Sequence, residues 1–317
     1  MQDGPRLLVA AALGKIIEPF LCQSMRGATV RIAEDKGAVE RAVSDRLRFD
    51  VVVADLTWND YAIEYSFDGL DVLDILRSAR RQAPVIFAAQ VHGIERDHLD
   101  EAVDQPEVVG IYRKATGPQP LVEAVDIAVR GGNLMGPQFP PGDSPQDIPR
   151  IHKYFSKGKG VTAARLAGAI DSGRAVNHET LASSAHVGYD TAAKLVDYLG
   201  PLIRDRGEHD CELKMTPEAV YRWCGEHARY ILSWCRRNGH DDIAERITAT
   251  HWPPDSGAGE DLLRVAQVGV DDRGVLVPRE DGLAVRDRDR VNVHIGDPGA
   301  GVGPLGDLVH VSLGGNA

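Results

Sequence analysis

The sequence predicts an α/β protein: a doubly wound, five-stranded parallel sheet, then a mostly helical domain and a small β-rich C-terminal region. Three observations carry that expectation. Through residue 130, short apolar runs alternate with segments of helical periodicity, the rhythm of βαβ units. Residues 136–149 hold five prolines in fourteen positions, which neither a helix nor an interior strand accommodates. Helical spacing then dominates to residue 240, and strand-like runs return after it.

The strands are expected at 6–12, 28–33, 50–56, 84–89 and 108–113, each apolar and bounded by turn residues. Val51-Val52-Val53-Ala54 is continuously apolar, as a strand covered on both faces requires. Leu70, Leu73, Ile75 and Leu76 give a helix over 68–81 its apolar face. Leu121, Val122, Val125 and Val129 do the same for the last helix, which ends at Gly131-Gly132. The proline-rich stretch reads as a semi-rigid linker, dividing the chain into 1–133, a linker over 134–155, 156–240 and 241–317.

In the third region helices are predicted at 162–171, 177–184, 189–199 and 217–237. Asn177 is an N-cap with Thr180 three positions on, and Pro217 sits at a first helical position behind Thr216. After a helical piece over 241–247 and the breaker Trp252-Pro253-Pro254, strands are expected at 274–278, 283–286, 291–295 and 308–313.

Of 317 residues, 43% are hydrophobic and 26% charged, a globular balance. The apolar runs fall well short of the ~20 residues a spanning helix needs. The amino terminus carries an acid where a signal peptide carries basic residues, and four cysteines do not make a disulfide framework. The expectation is a soluble, cytoplasmic protein with no membrane association. The net charge of −11 speaks against a chain coated for nucleic acid. Residues 150–206, however, carry nine Lys/Arg against five Asp/Glu, a candidate nucleic-acid contact surface.

Asp50-Val-Val-Val-Ala-Asp55-Leu56 resembles the third strand of bacterial response-regulator receiver domains, which ends in the phospho-acceptor aspartate. Phe67-Asp68-Gly69-Leu70 as a helix start, Pro84-Val-Ile-Phe87 as strand four and Gly110-Ile-Tyr-Arg-Lys114 as strand five with its lysine extend the resemblance over residues 5–130. It implies a doubly wound fold with its chemistry at the carboxyl ends of the strands. The departures from the family lie in its metal pocket. Where the family places two acids to hold Mg²⁺, this chain has Ala11 and Ala12, which offer no oxygen ligand. The hydroxyl expected near the end of strand four is Ala88 or Ala89, and the aromatic expected three before the lysine is Ile111, with Tyr112 adjacent. Gly69 lies fourteen residues after Asp55, farther than the family places it, leaving an insertion with Trp58, Tyr61, Tyr65 and Phe67.

Phosphoryl transfer needs developing negative charge neutralised, chiefly by a metal and a lysine. With Lys114 alone, phosphorylation at Asp55 is expected to be poor, and Asp55 to pair with Lys114. Asp60, Glu64 or Asp68 are the alternative sources of ligands. The expectation is a receiver with no metal and no cofactor, serving as a dimerisation face, a partner-binding face or a small-molecule pocket. An aromatic insertion over the old site favours the last two.

Residues 173–199 resemble a helix-turn-helix. Leu181 and Ala182 pack the first helix, Val187 and Gly188 form the turn, and Ala192, Leu195, Val196 and Leu199 anchor the second. The resemblance implies that Gly188, Tyr189, Asp190, Thr191 and Lys194 face the base edges. Leu199-Gly200-Pro201 predicts a helix stop, and 202–217 resembles the wing hairpin of winged-helix regulators, with Arg204 and Arg206 on the wing. Lys157, Lys159, Arg165 and Arg174 are further phosphate-contact candidates, while Asp190 and Asp197 repel phosphates.

Together these resemblances imply an atypical response regulator and no enzyme: a homodimer on repeated or palindromic promoter half-sites, controlled without phosphorylation. The alternative is a signalling adaptor whose two modules both bind proteins. Other constellations point to structure. Cys211, Cys224 and Cys235 with His209, His227 and His240 lack zinc spacing and are expected to pack the core. The helix 217–237, with Trp223 and Trp234, is also a candidate to pair with its copy in a dimer. Gly301-Val-Gly303-Pro-Leu-Gly306 precedes a strand rather than a helix and reads as a loop. His92, His98 and His152 are expected at the surface.

Overall fold

The computed structural model describes residues 4–45, 47–60, 63–90, 93–135, 148–175, 177–244, 268–270 and 276–278. The chain alternates β1 (Arg6–Ala10), α1 (Gly14–Ser24), β2 (Thr29–Ala33), α2 (Lys36–Ser44), β3 (Val51–Asp55), α3 (Gly69–Ser78), β4 (Val85–Ala89), α4 (Arg96–Ala102), β5 (Val108–Arg113) and α5 (Pro118–Val129). Each of the five strands expected in the first 130 residues is present, within two residues of its predicted ends. All four pairings are parallel, in the order β2-β1-β3-β4-β5. This is the doubly wound, five-stranded parallel sheet the alternation predicts.

The period of two along each strand splits the apolar residues between two layers. Leu7, Val9, Val51, Val53, Ile86 and Ala88 pack with Leu21 of α1 and Leu121 and Val125 of α5. Leu8, Val52 and Phe87 pack with Val39 of α2 and Leu70 and Leu73 of α3. That second layer continues into the helical region without interruption, through Phe155, Ala167 and Trp234.

The helical region comprises α6 (Ile151–Phe155), α7 (Lys159–Asp171), α8 (His178–Ser184), α9 (Tyr189–Ala192), α10 (Leu195–Asp205), α11 (Pro217–Arg237) and α12 (Asp241–Ala244). The caps fall where the sequence places them. Asn177 and Thr180 form a reciprocal capping box, and Thr216 caps α11 through the Ala219 amide. α7 and α11 approach closely enough that a Cβ on Gly168 would lie 2.8 Å from Cys235 Sγ. Phe155 meets the Trp234 ring edge-on at 5.3 Å, closing the same core.

Three expectations fail here. Pro201 does not stop a helix: α10 runs through it to Asp205. Leu195, Leu199, Leu202 and Ile203 recur at helical spacing and are all buried, while Pro201 is on the exposed side, so burial outweighs the lost amide hydrogen bond. Consequently there is no wing: Leu202 to Asp205 is helix, and residues 206–216 form turns with no strand. The helix predicted over 189–199 is also divided, at Ala193-Lys194, into α9 and α10.

Residues Met1–Trp252 form one compact unit and Pro253–Ala317 a second. In the second, β6 (Val268–Val270) and β7 (Leu276–Pro278) pair antiparallel. The strands predicted at 283–286, 291–295 and 308–313, the glycines at 301–306 and linker residues 136–147 lie outside the described residues, as do Tyr61, His92 and 245–247. Among the described residues no helix is long and apolar enough to cross a membrane.

Candidate functional site

Asp55 closes β3 and Lys114 follows β5, so both side chains reach the carboxyl end of the sheet. Lys114 Nζ lies 2.8 Å from Asp55 Oδ1, the pairing the sequence predicts. Burial pushes the Asp55 carboxyl above its usual range, Lys114 opposes that push, and the nearby Glu95 charge adds to it. Ala11 and Ala12 follow β1 where carboxylates would hold a cation, Ala88 stands opposite Asp55 in register, and Ala89 is fully buried. No group of His, Cys, Asp or Glu among the described residues is arranged to hold a metal ion. Tyr112 is turned into the layer with α1 and α5, where its hydroxyl donates to the Gly117 carbonyl at 2.6 Å.

Glu95, a residue the sequence does not single out, completes this pocket. It sits in a short 3-10 turn after β4, 3% exposed, and accepts a 2.6 Å hydrogen bond from Thr57 Oγ1. The turn leads directly into α4, so the loop after β3 is tied to that helix.

The described aromatics of the insertion pack into the protein itself. Thr57 and Asp68 bridge the ends of the insertion, Trp58 meets Phe67 edge-on at 5.0 Å, and both rings are buried in the core. Tyr65 instead faces α11, with the Arg229 guanidinium 5.9 Å from its ring centroid. Of the alternative ligand sources, Glu64 and Asp68 are engaged within the protein. Glu64 pairs with Arg229, and Asp68 caps α3 by accepting from the Leu70 and Asp71 amides.

These contacts belong to an acid–arginine junction between α3–α4 and the helical region. Arg236 reaches Asp71 at 2.7 Å, Arg237 donates to Glu101 at 2.9 Å, and Tyr230 donates to the same carboxylate at 2.6 Å. Asp97 receives Arg206 at 2.8 Å and His227 at 2.6 Å. Glu208 receives Trp223 Nε1 at 2.7 Å and Arg206 Nε at 2.7 Å. Burial would raise the carboxyls of Asp97 and Glu101, but His227 and Arg206 at the first, and Arg237 at the second, bring both below their usual range. Burial likewise opposes a charged His227, yet its hydrogen bonds to Asp97 and Glu208 raise it to about 9. Burial and the neighbouring Asp68 charge push Asp71 up to about 6.

The junction corrects several expectations. Arg206 is no phosphate contact: its side chain is fully buried, committed to Asp97 and Glu208. His98 is not a surface residue: it is 1% exposed, beside Asp68 and edge-on to Tyr230. His152 is largely covered and pairs with Asp104 at 3.0 Å. The sequence carries a partial signal for all this. Asp97 and Glu101 are four apart on α4, and Arg229, Arg236 and Arg237 share a face of α11, two complementary stripes that each resemble a solvated face.

Across α8–α10, Leu181, Ala192, Leu195 and Leu199 are buried as predicted, Ala182 and Val196 are half-buried, and Ala185, which the sequence does not single out, is buried as well. Tyr189 is 61% exposed, Asp190, Lys194 and Arg204 are exposed, and Thr191 is half-buried. Arg174 donates to the Asp242 carbonyl, and Arg165 to the Ala185 carbonyl at 2.8 Å and the Asp242 carboxylate at 2.6 Å. Both therefore brace α12 rather than stand free for phosphate. Cys224 and Cys235 are buried in α11 with thiols raised by burial, whereas Cys211 is exposed.

No family model matches the chain, and no curated protein matches it. Solved structures with similarity to it include the receiver domain of Francisella response regulator 1452, at 22% identity and a TM-score of 0.32, covering 40% of this chain and 98% of that one. A response regulator receiver domain protein from Clostridium thermocellum has 21% identity and a TM-score of 0.33, covering 40% and 95%. RcsB from Salmonella enterica serovar Typhimurium, bound to promoter P1flhDC, has 14% identity and a TM-score of 0.41, covering 70% and 98%.

Proposed function

We propose that the protein is a DNA-binding transcriptional regulator of the atypical response-regulator type, whose receiver-like region acts without phosphorylation. The observation that carries this reading is the α8–α9 pair. A capped α8 and a turn at 185–188 bury Leu181, Ala185 and Ala192 and leave Tyr189, Asp190 and Lys194 outward at the start of α9. α9 is a single turn, so one copy offers a small reading surface, and a homodimer on repeated half-sites supplies the remaining affinity. Control by a protein or small-molecule ligand is supported by the degenerate pocket and by Leu13, Ile16 and Ile94, 61–71% exposed after β1 and β4.

The adaptor reading is favoured by one specific observation. Arg165, Arg174 and Arg206, three of the candidate phosphate contacts, are occupied inside the protein. Gel retardation against genomic fragments over a series of salt concentrations separates the two readings. Sequence-selective retardation weakened by Lys194→Ala supports the regulator. An intact, folded protein that retards no fragment at low salt supports the adaptor.

A further inference from the structure

At the amino-terminal ends of the strands, opposite the Asp55 pocket, lies a cleft of about 530 Å³ between the approaches to β3 and β4. Its walls carry Arg48, Arg77, Arg80 and Arg81, no acidic residue among the described ones lines it, and half-buried Leu47, with the nearly buried Phe49 and Leu76 behind it, forms its apolar side. In a chain of net charge −11 this is a concentrated basic site. Arg77 is spent on Glu107, at 2.9 and 2.6 Å, and Arg81 donates to the Asp45 carbonyl at 2.8 Å, so both are held in place. Arg48 and Arg80 are exposed and make no ion pair among the described residues.

The backbone at Arg80 adds an independent observation. The Arg80 and Arg81 amides bond to the Arg77 and Leu76 carbonyls, a Schellman end to α3, and this puts Arg80 at φ 54°. Glycine is the usual resident of that conformation: this chain uses Gly131, Gly173, Gly207 and Gly239 after α5, α7, α10 and α11, and among the described residues only His186, after α8, shares it with Arg80 as a non-glycine. Keeping an arginine there sacrifices backbone comfort for a guanidinium at the cleft. An outlier of this kind points to function.

We propose that this cleft binds a nucleoside diphosphate. Arg48 and Arg80 take the terminal phosphate oxygens in charge-assisted forks, Arg81 braces them, and the base lies against Leu47. The volume suits a small molecule, and the pairing of a basic wall with an apolar side suits a ligand that is anionic at one end and planar at the other.

The test is titration of the full chain into a fluorescent N-methylanthraniloyl ADP, followed by anisotropy, with pyrophosphate and adenosine as competitors. Saturable binding displaced by pyrophosphate is expected. Arg80→Gly should raise Tm by about 2–4 °C through relief at the helix end, yet weaken binding about tenfold or more. Arg48→Ala should weaken it similarly with Tm unchanged. A gain in stability alongside lost affinity is not what a structural arginine would give. No saturation at about 1 mM probe overturns the proposal, as does affinity unchanged in the double variant. If the two substitutions weaken retention of duplex DNA and leave the nucleotide unaffected, the cleft is a polynucleotide contact and the proposal is wrong.

Discussion

Arg206 Nη2 lies 2.8 Å from Asp97 Oδ1, and neither side chain is more than 7% exposed. The two are 109 residues apart, one on a receiver-like helix and the other just past α10. A charge pair removed from water this completely survives only with its remaining valences filled, and here His227, Glu208 and the Pro149 carbonyl fill them.

Removing one partner should therefore cost far more than removing an exposed ion pair. Arg206→Ala is expected to lower unfolding free energy by about 3–5 kcal/mol, because it strands the Asp97 charge. Asp97→Asn and the double variant complete a cycle in urea unfolding, and a coupling of at least about 1 kcal/mol is expected.

His227 gives the junction a pH dependence of known sign. Its folded value, about 9, exceeds its ordinary 6.5. The stability it contributes is therefore fully present below pH 6.5 and is lost as pH rises through 9. His227→Gln should flatten the stability profile across that window and cost about 1–3 kcal/mol at pH 6. Thermal unfolding at stepped pH reads both.

Asp55 should resist phosphorylation. With Lys114 as its partner and alanines where metal ligands belong, acetyl phosphate and Mg²⁺ are expected to give no more label in the intact chain than in Asp55→Asn. A phosphate-affinity gel measures the difference.

Arg204 and Arg206, adjacent in purpose by sequence, should separate in experiment. Arg204→Ala is expected to leave stability unchanged and to reduce the salt dependence of DNA retention by about 0.9 in log-log slope if it touches a phosphate. Arg206→Ala should instead lower Tm before any DNA is added.

The close approach at Gly168 makes a packing prediction. Gly168→Ala places a methyl 2.8 Å from Cys235 Sγ and should destabilise the helical region by about 1–3 kcal/mol. Gly225, with open space around it, is the control position, where Ala should be tolerated or stabilising.

What the amino-acid sequence determined by itself was local. Apolar strands such as Val51–Asp55, the Asn177–Thr180 cap, Pro217 at the head of α11 and the missing acids at Ala11 and Ala12 follow from residue type and short-range spacing. The Asp55–Lys114 pair was legible as well, because a parallel sheet puts the carboxyl ends of β3 and β5 on the same side, across β4. Only the tertiary structure decided the fate of the charged residues. A stripe such as Asp97 and Glu101 reads as solvated until Arg206, His227 and Arg237, more than a hundred positions away, are brought against it. Pro201 shows the same limit: its local cost is fixed by its ring, but the burial of Leu202 and Ile203 that outweighs it exists only once α10 has packed.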